Sequence, residues 1–338
     1  MKKKVIISLV SLVILAAAAV IIAGVYFYSS SKSFLENNKV SAELFIEKGH
    51  SYSKLYKEIF KENTVPAGLD LYLRKVVKLP QNMKFGYYLA DNITYSEFIY
   101  NIMNGVQSTV KVTVPEGFNL FDIANALEKA GVTKRDEFLN LVFNKEYVKK
   151  ITGGDYESLE GFLFPGTYKF PKNFKANNVV DTMYSDFKKY LPADFKEKAA
   201  SHGLTEYEAL ILASIVQKET YNVFEAPIVA SVYYNRLNID MILQADPTIL
   251  YGKFLRGNFE IKIGRDDLRD ETNIYNSYKH KGLPPTPICN PSLIALEAVA
   301  NPAKTDYLFF VASKDGEHLF SETYDMHRRY VNEHQKNK

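Results

Sequence analysis

From Val5 to Tyr28 the chain is almost wholly apolar, with Ser8 and Ser11 as the only polar interruptions. A run of this kind restricts the fold before anything else is read, because a helix apolar on every side needs lipid or a thick protein shell around it. It is long enough to cross a bilayer, which takes about 20 residues. The apolar stretch of a cleaved signal peptide is shorter, roughly 7–15 residues, although the small residues Ala16 to Ala19 leave a cleavage site open as the other reading. Lys2, Lys3 and Lys4 precede the run and the polar segment Ser29 to Lys32 follows it. Basic residues favour the cytoplasmic side, so the expected arrangement is a cytoplasmic tail at residues 1–4, a single transmembrane anchor at 5–28, and the remainder outside the cytoplasmic membrane.

That remainder, roughly 300 residues, favours two or three small domains over one. Lys+Arg number 42 against 39 Asp+Glu, a net charge of +3. So near a balance, and without basic blocks interleaved with aromatics, nucleic acid is not expected as a partner. The single cysteine, Cys289, cannot close an internal disulfide, and within Pro287–Pro291 it reads as a small buried residue rather than a nucleophile. The six histidines show no paired ligand spacing, and neither a phosphate loop nor a G-x-S-x-G turn occurs. No metal site is expected from these residues.

Periodicity gives an α+β chain. Ala42–Ile46 and Lys84–Leu89 read as strands, with helical spacing over Ser51–Phe60 and Leu69–Val77. Thr94 opens a helix that stops at Gly105. Thr109–Val114 alternates as a strand and turns through Pro115-Glu-Gly117 into a helix over Asn119–Ala130, stopped by Gly131. Ile46-Glu-Lys-Gly49 and its helix faintly repeat Val114-Pro-Glu-Gly117 and its helix, as an internal duplication would. Ser158–Tyr168 is an apolar, turn-rich joint. Helices then follow over Val179–Tyr190, Pro192–His202 and Thr205–Thr220, the last opened by Thr205 with Glu208 as a capping box. Pro227 lies near the start of the next helix, and a strand falls near Tyr307–Ala312. The expected domains are a small α/β module at 40–108, a second module with its joint at 109–172, and a C-terminal mixed domain with a helical core at 173–338.

One acidic residue stands out by position. In Leu210–Thr220 read as a helix, Glu219 lies four residues after Ile215, three after Val216 and seven after Leu212, on one face, while Gln217 and Lys218 point elsewhere. A carboxyl against apolar side chains has its charged form disfavoured, which lifts its pKa toward the range useful to a general acid. A glutamate at a helix C-terminus can equally snorkel to solvent or pair with a lysine.

The segments Ile211–Thr220, Ser231-Val-Tyr-Tyr-Asn-Arg-Leu237, Leu243-Gln-Ala-Asp-Pro-Thr248, Tyr275-Asn-Ser-Tyr278, Gly282–Pro285, Pro287–Pro291 and Asp306–Val311 occur in that order. Together they closely resemble the signature of the endolytic murein transglycosylases, the YceG-like family, and the resemblance runs over nearly the whole chain. The unit at 109–172 is similar to a LysM module, which implies contact with glycans containing N-acetylglucosamine; a plain spacer is the other reading. Three departures from the family pattern are visible: Gln217 replaces the first glutamate of Val-Glu-Lys-Glu-Thr, Ala226 replaces an arginine, and Ala245 replaces a threonine.

The resemblance implies cleavage of the β-1,4 bond between N-acetylmuramic acid and N-acetylglucosamine without water, the muramyl C6 hydroxyl closing a 1,6-anhydro ring. Glu219 would act as the catalytic acid and then as the base, a chemistry for which the resemblance implies no metal and no organic cofactor. Gln244, Asp246, Thr248, Asn235, Tyr275 and Asn290 are the candidate substrate-binding residues, and Arg236 is expected in a structural ion pair. The implied partners are peptidoglycan glycan strands, the membrane through the N-terminal helix, and peptidoglycan synthases. Nascent strands near the membrane would be the substrate, and termination of their growth the role. Two other readings stay open at this level: a muramidase with Asp246 as base, since ordinary glycosidases use two carboxylates, and a non-catalytic wall-binding scaffold.

Overall fold

The computed structural model describes residues 2–47, 49–60, 64–314 and 316–334. Met1 of the expected tail and Lys48 of the Ile46–Gly49 segment lie outside them, as do the side chains of residues 2–5. The chain is α+β and divides into two compact units. One comprises residues 1–110 with 170–174, the other 111–169 with 175–338. Residues 111–169 therefore group with the C-terminal part, where the sequence suggested a separate module at 109–172.

The first unit opens with α1 (Lys2–Asn37), followed by β1 (Lys39–Ile46), α2 (Tyr52–Phe60), α3 (Leu69–Tyr72) running into a π-turn at Leu73–Val77, α4 (Leu79–Asn82), β2 (Gly86–Thr94) and α5 (Tyr95–Asn104). Over residues 6–37 the first helix is long and apolar enough to cross a membrane, and side chains such as Leu12, Leu15 and Ile22 are exposed along it. It continues past the expected end at Tyr28. Its last turns change character: Leu35 is buried in a core with Val40, Leu55, Leu73, Tyr88, Phe98 and Ile102. β1 and β2 pair antiparallel from Lys39 opposite Thr94 to Ile46 opposite Gly86. Thr94 caps α5 by accepting from the Glu97 amide, and Gly105 ends it in the left-handed conformation, as the sequence predicts.

The second unit begins with β3 (Thr109–Val114), α6 (Leu120–Lys129), α7 (Arg135–Val142), α8 (Lys145–Thr152) and β4 (Gly166–Pro171), the two strands pairing with each other. It continues through α9 (Ala176–Tyr190), α10 (Phe195–Ser201), α11 (Glu206–Glu219), α12 (Ala226–Asn238), α13 (Asp246–Leu255), α14 (Arg265–Arg269) and α15 (Leu293–Ala300). It closes with β5 (Phe309–Ala312), β6 (His318–Ser321) and α16 (Tyr324–His334). The last two elements, a four-residue strand and a helix polar on average, give too weak a signal to be read from sequence.

α11 is the axis of this unit. Every side chain from Ala209 to Gln217 is buried, and α12, α13, α15 and α10 pack around it. A helix apolar all round is a core helix, and this one is surrounded even where it carries polar atoms. Ser214 Oγ accepts from the Ile288 amide at 3.0 Å, Cys289 Sγ donates to the Ser214 carbonyl at 3.2 Å, and Gln217 Oε1 accepts from the Ser292 amide at 2.8 Å. The irregular segment 287–292 thus runs beside α11 as a strap. Cys289 is fully buried with its thiol pushed up by burial, an inert state for a cysteine.

A second hub ties the joint to this strap. Asn290 accepts from the Leu163 amide at 2.9 Å and donates to the Phe118 carbonyl and to Glu160 Oε1, both at 3.0 Å. Glu160, fully buried, also takes the amide of Leu120, the first residue of α6, at 3.0 Å. A carboxyl there meets the positive end of the helix. Gly161 has φ +87°, and a Cβ on it would sit 2.7 Å from Pro287 Cγ, so the close approach of joint and strap requires glycine.

The start of α11 is fixed by the predicted box: Glu208 N donates to Thr205 Oγ1 at 3.2 Å and Thr205 N to Glu208 Oε2 at 2.8 Å. Thr205→Ala should lower stability by about 1 kcal/mol. In a domain of this size that lowers the melting midpoint by about 2–4 °C, measurable by calorimetry on the full chain; an unchanged midpoint would show the cap to be dispensable.

Candidate active site

Glu219 is the last residue of α11, where the buried helix runs out into a cavity of about 610 Å³. Leu212, Ile215 and Val216, which share its face, are wholly buried. Burial pushes the Glu219 carboxyl up to about 7, and neighbouring Asp246 adds to the rise; the Tyr233 hydroxyl, His318 and Arg236 oppose it. The negative end of the α11 dipole acts in the same direction as burial. Tyr233, 1% exposed on α12, donates its hydroxyl to Glu219 Oε1 at 2.9 Å. Its own phenol is held far above the usual range by burial and by Glu219, so it remains a donor that fixes the carboxyl's rotamer.

The cavity is also lined by Arg236, Gln244, Asp246, Tyr278 and His318. Of the six candidate binding residues, Gln244 and Asp246 therefore share it with Glu219. Gln244 has φ +49°, a left-handed conformation strained for a residue with a Cβ, and its side chain is exposed. Such strain, of order 1–3 kcal/mol, persists where surrounding bonds over-determine the backbone. Here Gln244 N donates to the Ser277 carbonyl at 3.1 Å and Ala245 N to Ser277 Oγ at 2.9 Å. Asp246 opens α13, and Tyr278 Oη donates to its Oδ1 at 2.7 Å.

The other four lie in the surrounding framework rather than along the cavity. Thr248 is fully buried, donating to the Ala245 carbonyl at 2.7 Å with its oxygen 2.9 Å from Ser277 Oγ. Asn235 donates to the carbonyls of Thr305 at 2.8 Å and Tyr307 at 3.0 Å, holding the chain that leads into β5. Tyr275 is buried with its hydroxyl 2.9 Å from Thr286 Oγ1, and Asn290 is the buried hub described above. The expected ion pair of Arg236 is corrected. Its Nε donates to the Leu308 carbonyl at 2.7 Å and its Nη1 to the Leu243 carbonyl at 2.6 Å, and the guanidinium sits 5.4 Å from the centre of the Phe309 ring. The reason is position: Leu243 and Leu308 lie outside helices and strands, shortly before α13 and β5, where backbone carbonyls have no helical partner.

The motifs 244–248 and 275–278 build the site jointly. Asn276 donates to the carbonyls of Asp267 and Asp270 and accepts from the Tyr278 amide at 3.1 Å, which aims Ser277 and Tyr278 at the Gln244–Thr248 turn. Sequence reasoning missed His318, Tyr233, Tyr278 and Glu225. His318 Nδ1 lies 2.7 Å from Glu225 Oε2, and its backbone N–H donates to Glu225 Oε1 at 2.8 Å. A lone histidine near the C-terminus and a glutamate at a helix start give no signal until the fold brings them together. The matched segment 231–237 did contain Tyr233, and the spacing from Asn235 and Arg236 could have raised it. Among the described residues no cluster of His, Cys, Asp and Glu has the makings of a metal site.

The chain is 28% identical over 319 residues to the endolytic murein transglycosylase of Bacillus subtilis (strain 168), covering 88% of this chain and 87% of that protein. It is 30% identical over 330 residues to the endolytic murein transglycosylase of Streptococcus pneumoniae serotype 2 (strain D39), where the match covers 59% of the longer relative. A crystal structure of a yceG-like protein from Listeria monocytogenes superposes with a TM-score of 0.58 at 28% identity, covering 86% of this chain and 99% of that one. The family model for the YceG-like family matches residues 44–333, and the chain belongs to that family.

Proposed function

We propose that this protein is a peptidoglycan lytic transglycosylase, a carbon–oxygen lyase, as its relatives' names indicate, with Glu219 as its proton-transfer residue. The observation that carries the reading is a glutamate with its carboxyl raised to about 7, held by a phenol at 2.9 Å, in a cavity lined by polar groups. At neutral pH a sizeable fraction is protonated, so Glu219 can donate to the departing glycosidic oxygen between N-acetylmuramic acid and N-acetylglucosamine. Charge then develops at the muramyl anomeric carbon, and the C6 hydroxyl of the same sugar closes on it to leave a 1,6-anhydro end. The Glu219 carboxylate formed by the first transfer is available for the second proton. The Gln244 side-chain amide and the Arg236 guanidinium, the latter held in place by the Leu308 and Leu243 carbonyls, line the same cavity and can donate to the reacting sugar, where donors in place beforehand are worth most.

α1 fits a single-pass anchor. Anchored beside the membrane, the enzyme would meet glycan strands as they emerge from the synthases and end their elongation. The segments that follow the anchor in sequence, the stretch at 109–172 among them, suit glycan contact or spacing. Asp246 in the same cavity gives the muramidase reading a specific basis. Gln217 does not favour the scaffold reading, because its amide has a packing task against Ser292.

Mass spectrometry of glycan strands incubated with the full chain in detergent separates these readings. Anhydromuramyl ends, one water lighter than hydrolysed ends, are expected from the wild type and from Asp246→Asn. Hydrolysed ends that disappear in Asp246→Asn would establish the muramidase instead. Glu219→Gln should lower turnover at least 10²-fold; retained cleavage removes Glu219 from the reaction. Because the acid must be protonated, kcat/KM should fall as pH rises through about 7, approaching tenfold per pH unit above it. A profile flat to pH 9 would contradict the role.

A further inference from the structure

Beside Glu219 the cavity holds a second proton-handling arrangement. Glu225, 9% exposed at the start of α12, receives the backbone N–H and the ring Nδ1 of His318, together with the Thr220 hydroxyl at 3.2 Å. Burial works against the Glu225 charge, yet these donors outweigh it and hold the carboxyl below its usual range. An ionised carboxylate only accepts, so Nδ1 must carry the proton, and a neutral ring then has its lone pair on Nε2. Among the described residues Nε2 has no hydrogen-bond partner, and the ring lines the cavity into which Glu219 projects. Phe310 meets the ring edge-on at 5.3 Å and limits its rotation.

We infer that His318, oriented by Glu225, is the catalytic base of this site and takes the proton of the attacking C6 hydroxyl. The inference rests on the transglycosylase reading and divides between two groups the tasks otherwise given to Glu219. Glu219 passes its proton to the glycosidic oxygen as the C1–O4 bond breaks with its electron pair on that oxygen. The C6 oxygen forms the new bond to C1, and its proton goes to His318 Nε2. One proton returning from the imidazolium to the Glu219 carboxylate restores both groups, so nothing external is consumed. Two groups with opposite starting protonation in one cavity are the usual basis for acid and base assignments. Asp246 is less suited, being exposed and already accepting from Tyr278. Glu225 is a positioning residue: it sets the tautomer and favours the imidazolium once formed. Besides Glu225, the titratable groups that line the cavity with the ring are Glu219, Tyr233, Arg236, Asp246, Tyr278, Tyr324 and His327.

The test is steady-state kinetics of the full chain in detergent on uncrosslinked glycan strands across pH 5–9. His318→Gln should lose at least 10²-fold in kcat with KM within about threefold, while the fall in kcat/KM above about pH 7 that belongs to Glu219 is kept. Glu225→Gln should lower kcat in the same direction with KM held, because a neutral amide can turn either its oxygen or its nitrogen to the ring and no longer fixes the proton on Nδ1. Wild-type kcat in His318→Gln overturns the inference and leaves Glu219 acting alone. No cleavage by wild type overturns the transglycosylase reading and the inference with it. Nitrogen-15 NMR of the wild-type His318 ring decides independently of whether the variants fold: a proton on Nδ1 is expected, and one on Nε2 at neutral pH refutes a base at that atom.

Discussion

The second unit depends on the burial of α11. A helix surrounded on all sides must end somewhere, and wherever it ends its unpaired carbonyls and its last side chains meet either packed protein or a cavity. Here its last residue is a carboxyl, at the negative pole of the helix and against apolar neighbours. Both conditions disfavour the ion, so the position supplies by packing what an acid catalyst needs. Tyr233 limits the cost by giving the carboxyl one good donor, without the full set that would return it to an ordinary acidity.

Much of the remaining architecture secures that helix. The strap at 287–292 accommodates the hydroxyl of Ser214 and the amide of Gln217, and Asn290 links the strap to the joint through Leu163 and Glu160. The departure at Gln217 makes sense in this setting. A side chain 2% exposed that accepts a backbone N–H is better neutral than ionised, since an unpaired buried charge is far more costly than a buried amide.

The cavity wall opposite is an interlock of two distant turns. Gln244 is held left-handed because Ser277 takes the amide of Ala245 and the carbonyl of Ser277 takes that of Gln244. Ser277 is in turn placed by Asn276 at the end of α14's carbonyls. Ala245 leaves α13 without a side-chain cap, and the Ser277 hydroxyl takes the Ala245 amide just before the helix.

Local chemistry was legible along the chain. Thr94 and Gly105 bound α5, Thr205 and Glu208 start α11, and Thr109–Val114 is a strand, because each signal acts within a few residues. The face of Glu219 was legible for the same reason, helical period being a local property. The sequence also marked Leu73–Val77 as helical, as part of Leu69–Val77, without showing the π-turn, because helical period alone does not separate the two hydrogen-bond patterns. β6 and α16 stayed hidden because β6 is only four residues long and α16 is polar on average, their side chains being mostly exposed or half-buried.

The sequence by itself determined the long apolar helix, the helical core, the family, and the one carboxyl on an apolar face. The tertiary structure decided which polar residues surround that carboxyl. Motif order suggested that Thr248, Asn235, Tyr275 and Asn290 would face substrate, yet their hydrogen bonds are made within the fold, while Tyr233, Tyr278 and the Glu225–His318 pair line or support the cavity. The physical reason is that a side chain's usefulness to a ligand depends on which partners are left unsatisfied. For Glu225 and His318, 93 residues apart, only the folded chain sets that account.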